Sequence, residues 1–199
     1  MLDTHARRFV EPLIQRVAHL MGQLGLSATG VTILALLVGL ISAACVAAGW
    51  PWIAIGALWT SGLLDAADGA LARMTRSSPL GAILDITFDR VVEIGVIVSL
   101  AWHYPASRLE CVILAGVIAI AMSLFLSIAA ALRNQSIKSF HYAPGLGERT
   151  EAFICLSLMI GDADRLRLWT WVFIAVIVFT VGQRLLHLAK CLRANDCDQ

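Results

Sequence analysis

Between positions 31 and 186 the chain is a series of apolar runs separated by short polar turns, and this pattern restricts it to a membrane-embedded helical fold. A helix needs about 20 mostly apolar residues to cross a bilayer. Candidate crossings are residues 31–48, 53 to the Asp65 region, 80–102, 109–132, a shorter run ending at 160, and 168–186. The composition agrees: 59% of the 199 residues are hydrophobic, above the roughly 45–50% typical of a soluble domain, and mean hydropathy is +0.79. The expected fold is an all-α integral membrane protein, a six-transmembrane-helix bundle preceded by an N-terminal amphipathic interfacial helix. Expected boundaries are 1–26 for the juxtamembrane helix, 27–190 for the transmembrane domain and 191–199 for a polar tail.

In residues 4–21, Phe9, Val10, Leu13, Ile14, Val17, Leu20 and Met21 recur at steps of three and four, with Arg7, Arg8 and Arg16 elsewhere. Such a helix lies on the membrane surface, packs on the end of the bundle, or does both. Residues 1–25 have no continuous apolar centre or small-residue cleavage site, so no signal peptide is expected. Ser27 or Thr29 can cap the first span, and Trp50-Pro51-Trp52 marks a turn at interfacial depth. His103-Tyr104-Pro105 closes the third span, with His103 read as an interfacial anchor.

A net charge of +1, with no basic run or interleaved aromatic platform, gives no footprint for nucleic acid. The five cysteines form no CxxC pair and read as small buried hydrophobes rather than a disulfide framework. With six spans both termini share a side. That side collects Arg7, Arg8, Arg16, Arg73, Arg76, Arg133, Lys138, Arg149, Arg184, Lys190 and Arg193, against Arg108, Arg165 and Arg167 opposite. The charge bias places the termini in the cytoplasm.

The stretch from Asp65 to Asp89 breaks the apolar pattern with four carboxylates. Asp65 and Asp68 are three apart on one helix, with Gly69 and Ala72 continuing the same face. Asp85 and Asp89 are four apart on the next, with Gly81 one turn earlier. A tight turn would bring the pairs together, where they would repel one another and resist desolvation without positive charge between them. Hard divalent cations meet that need, and all-oxygen ligation favours Mg²⁺ or Mn²⁺ over zinc, with four aspartates sufficient for two ions. The glycines allow a nucleotide close to the backbone. A solvated helix end or an ion pathway is the alternative for any single aspartate.

These residues resemble the signature of the CDP-alcohol phosphotransferases, D-x2-D-G-x2-A-R-x8-G-x3-D-x3-D. Asp65, Asp68, Gly69, Ala72, Arg73, Gly81, Asp85 and Asp89 all match, with seven residues instead of eight between Arg73 and Gly81. Ser27-Ala-Thr29-Gly-Val-Thr32 is similar to the family's T-P-N-x-x-T at the start of the first span. The resemblance implies that Asp65, Asp68, Asp85 and Asp89 are metal ligands and that Asp89 is also the general base. It further implies that Thr32, Gly69, Ala72, Arg73 and Gly81 line the nucleotide site. The implied activity is divalent-metal-dependent transfer of a substituted phosphoryl group from a CDP-linked donor to an alcohol, with release of CMP. The family resemblance also implies a homodimer.

A donor with an apolar tail, CDP-diacylglycerol, suits a site at the bilayer edge; a soluble CDP-alcohol donating to a lipid alcohol is the alternative. Arg133, Lys138 and Arg149 are candidate acceptor-binding residues, able to hold a phosphate through charge-assisted hydrogen bonds or serving only to set topology. Residues 145–151, Gly-Leu-Gly-Glu-Arg-Thr-Glu, are similar to prokaryotic members that use inositol phosphate. Inositol phosphate is therefore the preferred acceptor, ahead of glycerol phosphate. His141 reads as a solvated loop residue, and Glu93 either joins the site or pairs with Arg90. A cation transporter, the rival class, would distribute acids across membrane depth; here they cluster on two adjacent helices.

Overall fold

The computed structural model describes the backbone of residues 2–75, 78–134 and 149–194, and side chains within 10–75, 78–131 and 149–189. These segments form seven α-helices: α1 (Leu2–Gln23), α2 (Ala28–Ala47), α3 (Pro51–Met74), α4 (Pro79–His103), α5 (Arg108–Asn134), α6 (Arg149–Gly161) and α7 (Leu166–Ala194), with one 3-10 turn before α5 and another before α7. Among the described residues there is no strand.

Local chemistry sets the boundaries. The Ser27 hydroxyl accepts the Gly30 N–H at 3.1 Å and starts α2, and Ser78 does the same for Gly81 at 3.0 Å, with Pro79 opening α4. Gly25 (φ 75°) and Gly49 (φ 77°) close α1 and α2 in the left-handed region. At Gly25 the Leu26 N–H returns to the Met21 carbonyl, and at Gly49 the Trp50 N–H returns to Cys45. Both are glycine-terminated Schellman closures.

Small and hydroxyl residues draw α2, α3 and α4 together. A Cβ at Gly39 would lie 2.3 Å from Val92 Cγ2. Ser61 donates to the Ala35 carbonyl and Ser42 to Ala54, each at 2.7 Å. Side-chain hydroxyls that reach a neighbouring backbone permit this close approach. One apolar core joins α2 through α7 around Leu58, Leu100, Leu114, Leu156 and Phe173. A second packs Ile14 and Ala18 of α1 on Ala67, Ala70 and Leu71 of α3. Helix α1 is thus docked on the bundle, while Val10, Leu13 and Leu20 point outward.

Among the described residues three helical segments are long and apolar enough to cross a membrane: Ala28–Ala47, Pro105–Ala131 and Ala163–Ala189. Their outer faces, including Leu37, Ile120 and Phe179, are exposed and apolar, as lipid-facing residues are. The chain is an integral membrane protein on this basis. Helices α3 and α4 have 24 and 25 residues but carry the acidic stretch, which lowers their hydropathy. The described part of helix α6 has 13 residues, about 20 Å at 1.5 Å per residue; residues 135–148 before it lie outside the described residues. Cys45 and Cys111 are buried and, with Cys155, free.

Candidate active site

Helices α3 and α4 converge at the acidic stretch. Asp65 and Asp68 of α3 and Asp85 of α4 each offer a carboxylate oxygen, all within 4.8 Å of one another. Asp65 and Asp68 are 7% and 5% exposed, so bulk water does little to offset their mutual repulsion. Among the described residues Asp68 Oδ2 is buried without a hydrogen-bond donor, although Thr32 of α2 places its hydroxyl beside the same carboxylate. Three crowded carboxylates, one oxygen of which lacks a partner, fit a hard divalent cation. The shortened turn between Arg73 and Gly81 does not separate the helices at this level; its Arg76 and Ser77 lie outside the described residues.

Asp89, one turn beyond Asp85, is not part of that three-carboxylate group. It is held by Arg149 at the start of α6, whose Nη2 lies 2.6 Å from Asp89 Oδ1. The Nη1 of the same guanidinium pairs with Asp65 Oδ2. Arg149 also lies over the Phe153 ring, 5.5 Å from its centroid. That ring stands edge-on to Trp59 at 6.0 Å and fills the space a side chain on Gly62 would need.

Two cavities meet at Arg149. The larger, about 680 Å³, has an apolar part of its lining in Val10, Leu13, Trp59, Leu63 and Phe153 and a polar part in Asp65, Asp68, Gly69, Arg73 and Asp85. The smaller, about 410 Å³, is bordered by Asp89, Arg90, Glu93, Thr180 and Arg184, with Ile118, Phe125 and Phe173 as its apolar wall. Among the described residues Arg149 is the one that borders both. The lining of the larger cavity matches an amphiphile with its charged head at the aspartates; Arg90, Arg149 and Arg184 give the smaller one, beside Asp89 and Glu93, donors for a small anionic molecule.

A model of the CDP-alcohol phosphatidyltransferase family matches residues 26–182. The chain belongs to this family. It is an enzyme of phosphatidyl transfer, as family membership defines. The chain is 29% identical over 173 residues to the inner membrane protein YnjF of Escherichia coli, covering 79% of this chain and 81% of that protein. It is 28% identical over 196 residues to the archaetidylinositol phosphate synthase of Methanothermobacter thermautotrophicus, covering 94% and 92%. Its fold is similar to the Mycobacterium tuberculosis phosphatidylinositol phosphate synthase (PgsA1) crystallised with CDP-DAG, with a TM-score of 0.70, 24% identity and coverage of 87% and 92%. That synthase has also been crystallised with manganese and citrate.

The family's signature residues fall in distinct places. Gly69 and Arg73 border the larger cavity. Thr32, Ala72 and Gly81 do not border it: Thr32 is buried behind Asp68 and donates to the Ala28 carbonyl at 3.0 Å, and the Gly81 N–H is engaged in the α4 cap. Of the candidate acceptor residues, Arg149 reaches the site. The Arg133 side chain, Lys138 and His141 lie outside the described residues. Sequence reasoning passed over Arg184, counted only as a topology charge. Its signal was an arginine four residues after Thr180, at the end of the long apolar run of α7, and it lies over the Phe125 ring at 5.0 Å. The Glu93–Arg90 pairing is realised, with Nη1 2.6 Å from Oε2.

Proposed function

We propose that this protein is a six-span enzyme of a prokaryotic cytoplasmic membrane, its domain spanning 27–190, its termini and active site cytoplasmic and α1 at the membrane interface. It would act as a homodimer. In this reading it transfers a phosphatidyl group from CDP-diacylglycerol to a phosphorylated polyol, inositol phosphate ahead of glycerol phosphate. The observation that carries it is that Arg149 borders both the larger cavity, lined by apolar side chains and aspartates, and the smaller one, lined by three arginines with Asp89 and Glu93. The names of relatives point the same way: one makes archaetidylinositol phosphate, and a structural neighbour binds CDP-DAG.

Asp65, Asp68, Asp85 and Asp89 are the residues that would hold two divalent ions, Mg²⁺ or Mn²⁺. Bound there, such ions supply charge neutralisation for the pyrophosphate and its leaving group. The chain's own groups do the rest. Gly69 and Arg73 border the nucleotide, and the apolar part of the larger cavity takes the diacylglycerol. Arg149 and Arg184 receive the acceptor's phosphate by charge-assisted hydrogen bonds. Asp89 accepts the proton of the acceptor hydroxyl, whose oxygen forms the new bond to the lipid-bearing phosphorus. The bond from that phosphorus to the oxygen of CMP breaks, and CMP departs with the electron pair. Arg149 fixes the Asp89 carboxylate at the border between the substrates, where positioning contributes most.

The test is CMP release by the purified protein in detergent. The reading expects turnover of CDP-diacylglycerol with inositol phosphate or glycerol phosphate, abolished by a chelator and restored by Mg²⁺ or Mn²⁺. Turnover only of a soluble CDP-alcohol with a lipid alcohol would overturn the substrate assignment. Cation flux in liposomes without CMP release would overturn the enzyme.

A further inference from the structure

Glu93 is 1% exposed, and its partner Arg90 borders the same 410 Å³ cavity. The pair is an i, i+3 contact on α4, with the Glu93 side chain 2% exposed and the Arg90 side chain 31% exposed. A pair of this kind is a poor device for stability alone, because apolar residues of similar size often serve as well or better. Ionisable residues within a membrane bundle mark function by default. Nor is it a closed structural network: among the described residues Glu93 Oε1 and Arg90 Nε are buried without hydrogen-bond partners.

We propose that Arg90 is a further contact for the acceptor's anionic group, with Glu93 as the residue that positions it. This rests on the phosphorylated-acceptor reading above. Arg149 divides its charge between Asp65 and Asp89, so an anion beside Asp89 needs more cation than Arg149 provides. Arg90, next to Asp89 in sequence, supplies it from the same helix. Glu93 takes up one nitrogen of the guanidinium and fixes its direction, leaving the exposed part of the side chain to the cavity. The cost is some of Arg90's charge; the gain is a planar fork already oriented, which a flexible ammonium would not provide.

The test uses full-length protein in detergent with Mn²⁺, CDP-diacylglycerol and either myo-inositol 1-phosphate or glycerol 3-phosphate. Wild type comes first: if it works only with unphosphorylated alcohols, the acceptor reading falls, and this proposal with it. With a phosphorylated acceptor in use, Arg90→Gln raises the acceptor KM about tenfold or more, the worth of one charged hydrogen bond, and leaves the donor KM unchanged. Glu93→Gln raises the acceptor KM by a smaller factor and changes kcat little. The double variant Arg90→Met/Glu93→Leu separates binding from folding: it melts at or above the wild-type temperature, yet shows the raised acceptor KM of Arg90→Gln. A double variant with the wild-type acceptor KM, or single variants that shift donor and acceptor KM equally, would make the pair structural and overturn the proposal.

Discussion

Arg149 Nη2 lies 2.6 Å from Asp89 Oδ1, so the first residue of α6 fixes a carboxylate of α4. The other arm of the guanidinium reaches Asp65 of α3, and one planar cation thereby ties three helices together where the two cavities meet. Bidentate geometry of this kind is specific to arginine.

Arg149→Lys keeps the charge and loses the span, since a single ammonium cannot occupy both carboxylates in the same way. We expect kcat/KM for CMP release to fall on the order of a hundredfold, the scale of a small misplacement at a reacting centre. The measurement is the initial rate at varied donor and acceptor. A lysine variant within twofold of wild type would show that the bridge is dispensable.

Gly62 is where α3 receives the Phe153 ring: a Cβ there would lie 2.5 Å from Cε2. Gly62→Ala must push the ring away from Trp59 and from beneath Arg149. Overpacking of this kind costs about 1–3 kcal/mol, so the melting temperature falls and the rate falls with it. Thermal unfolding in detergent, read beside CMP release, checks this; a variant with an unchanged melting temperature contradicts the packing described.

Asp68→Asn keeps the size of a buried side chain and removes its charge from the three-carboxylate group. Changing a residue that merely supports a ligand costs 10–100-fold in metal affinity, so loss of a ligand should weaken Mn²⁺ binding by at least about tenfold. Titration followed by electron paramagnetic resonance measures this without turnover. Wild-type Mn²⁺ affinity in the variant would exclude Asp68 as a ligand.

The helices and the acidic face were legible because they depend on local periodicity. Ser27 caps α2, one of the two residues proposed for it, and α4 starts at Pro79, one residue from the expected Leu80. The spacing of Asp65, Asp68 and Asp85 placed them on facing helices, as they stand. The pairing of Asp89 with Arg149 was not legible, because the two are 60 residues apart and meet only through the packing of α4 on α6. The acceptor-side role proposed for Arg184 was hidden for the same reason: in sequence it is one cation near the end of an apolar run, and only α7 packed on α5 sets it over Phe125. Thr32 is expected as a nucleotide contact from its place in the motif; what its motif position did not reveal is that its hydroxyl lies beside Asp68 of α3 and donates to the Ala28 carbonyl of its own helix.

Asp89→Asn tests the proposed mechanism most directly, because it preserves shape, leaves the three-carboxylate group intact and removes the group that accepts the acceptor's proton. We expect a folded variant, with an unchanged elution profile and a cooperative unfolding transition, whose acceptor-dependent CMP release is lost by about a hundredfold or more, the lower end of what a general base contributes. A variant that releases CMP at a near-wild-type rate would contradict the role assigned to Asp89.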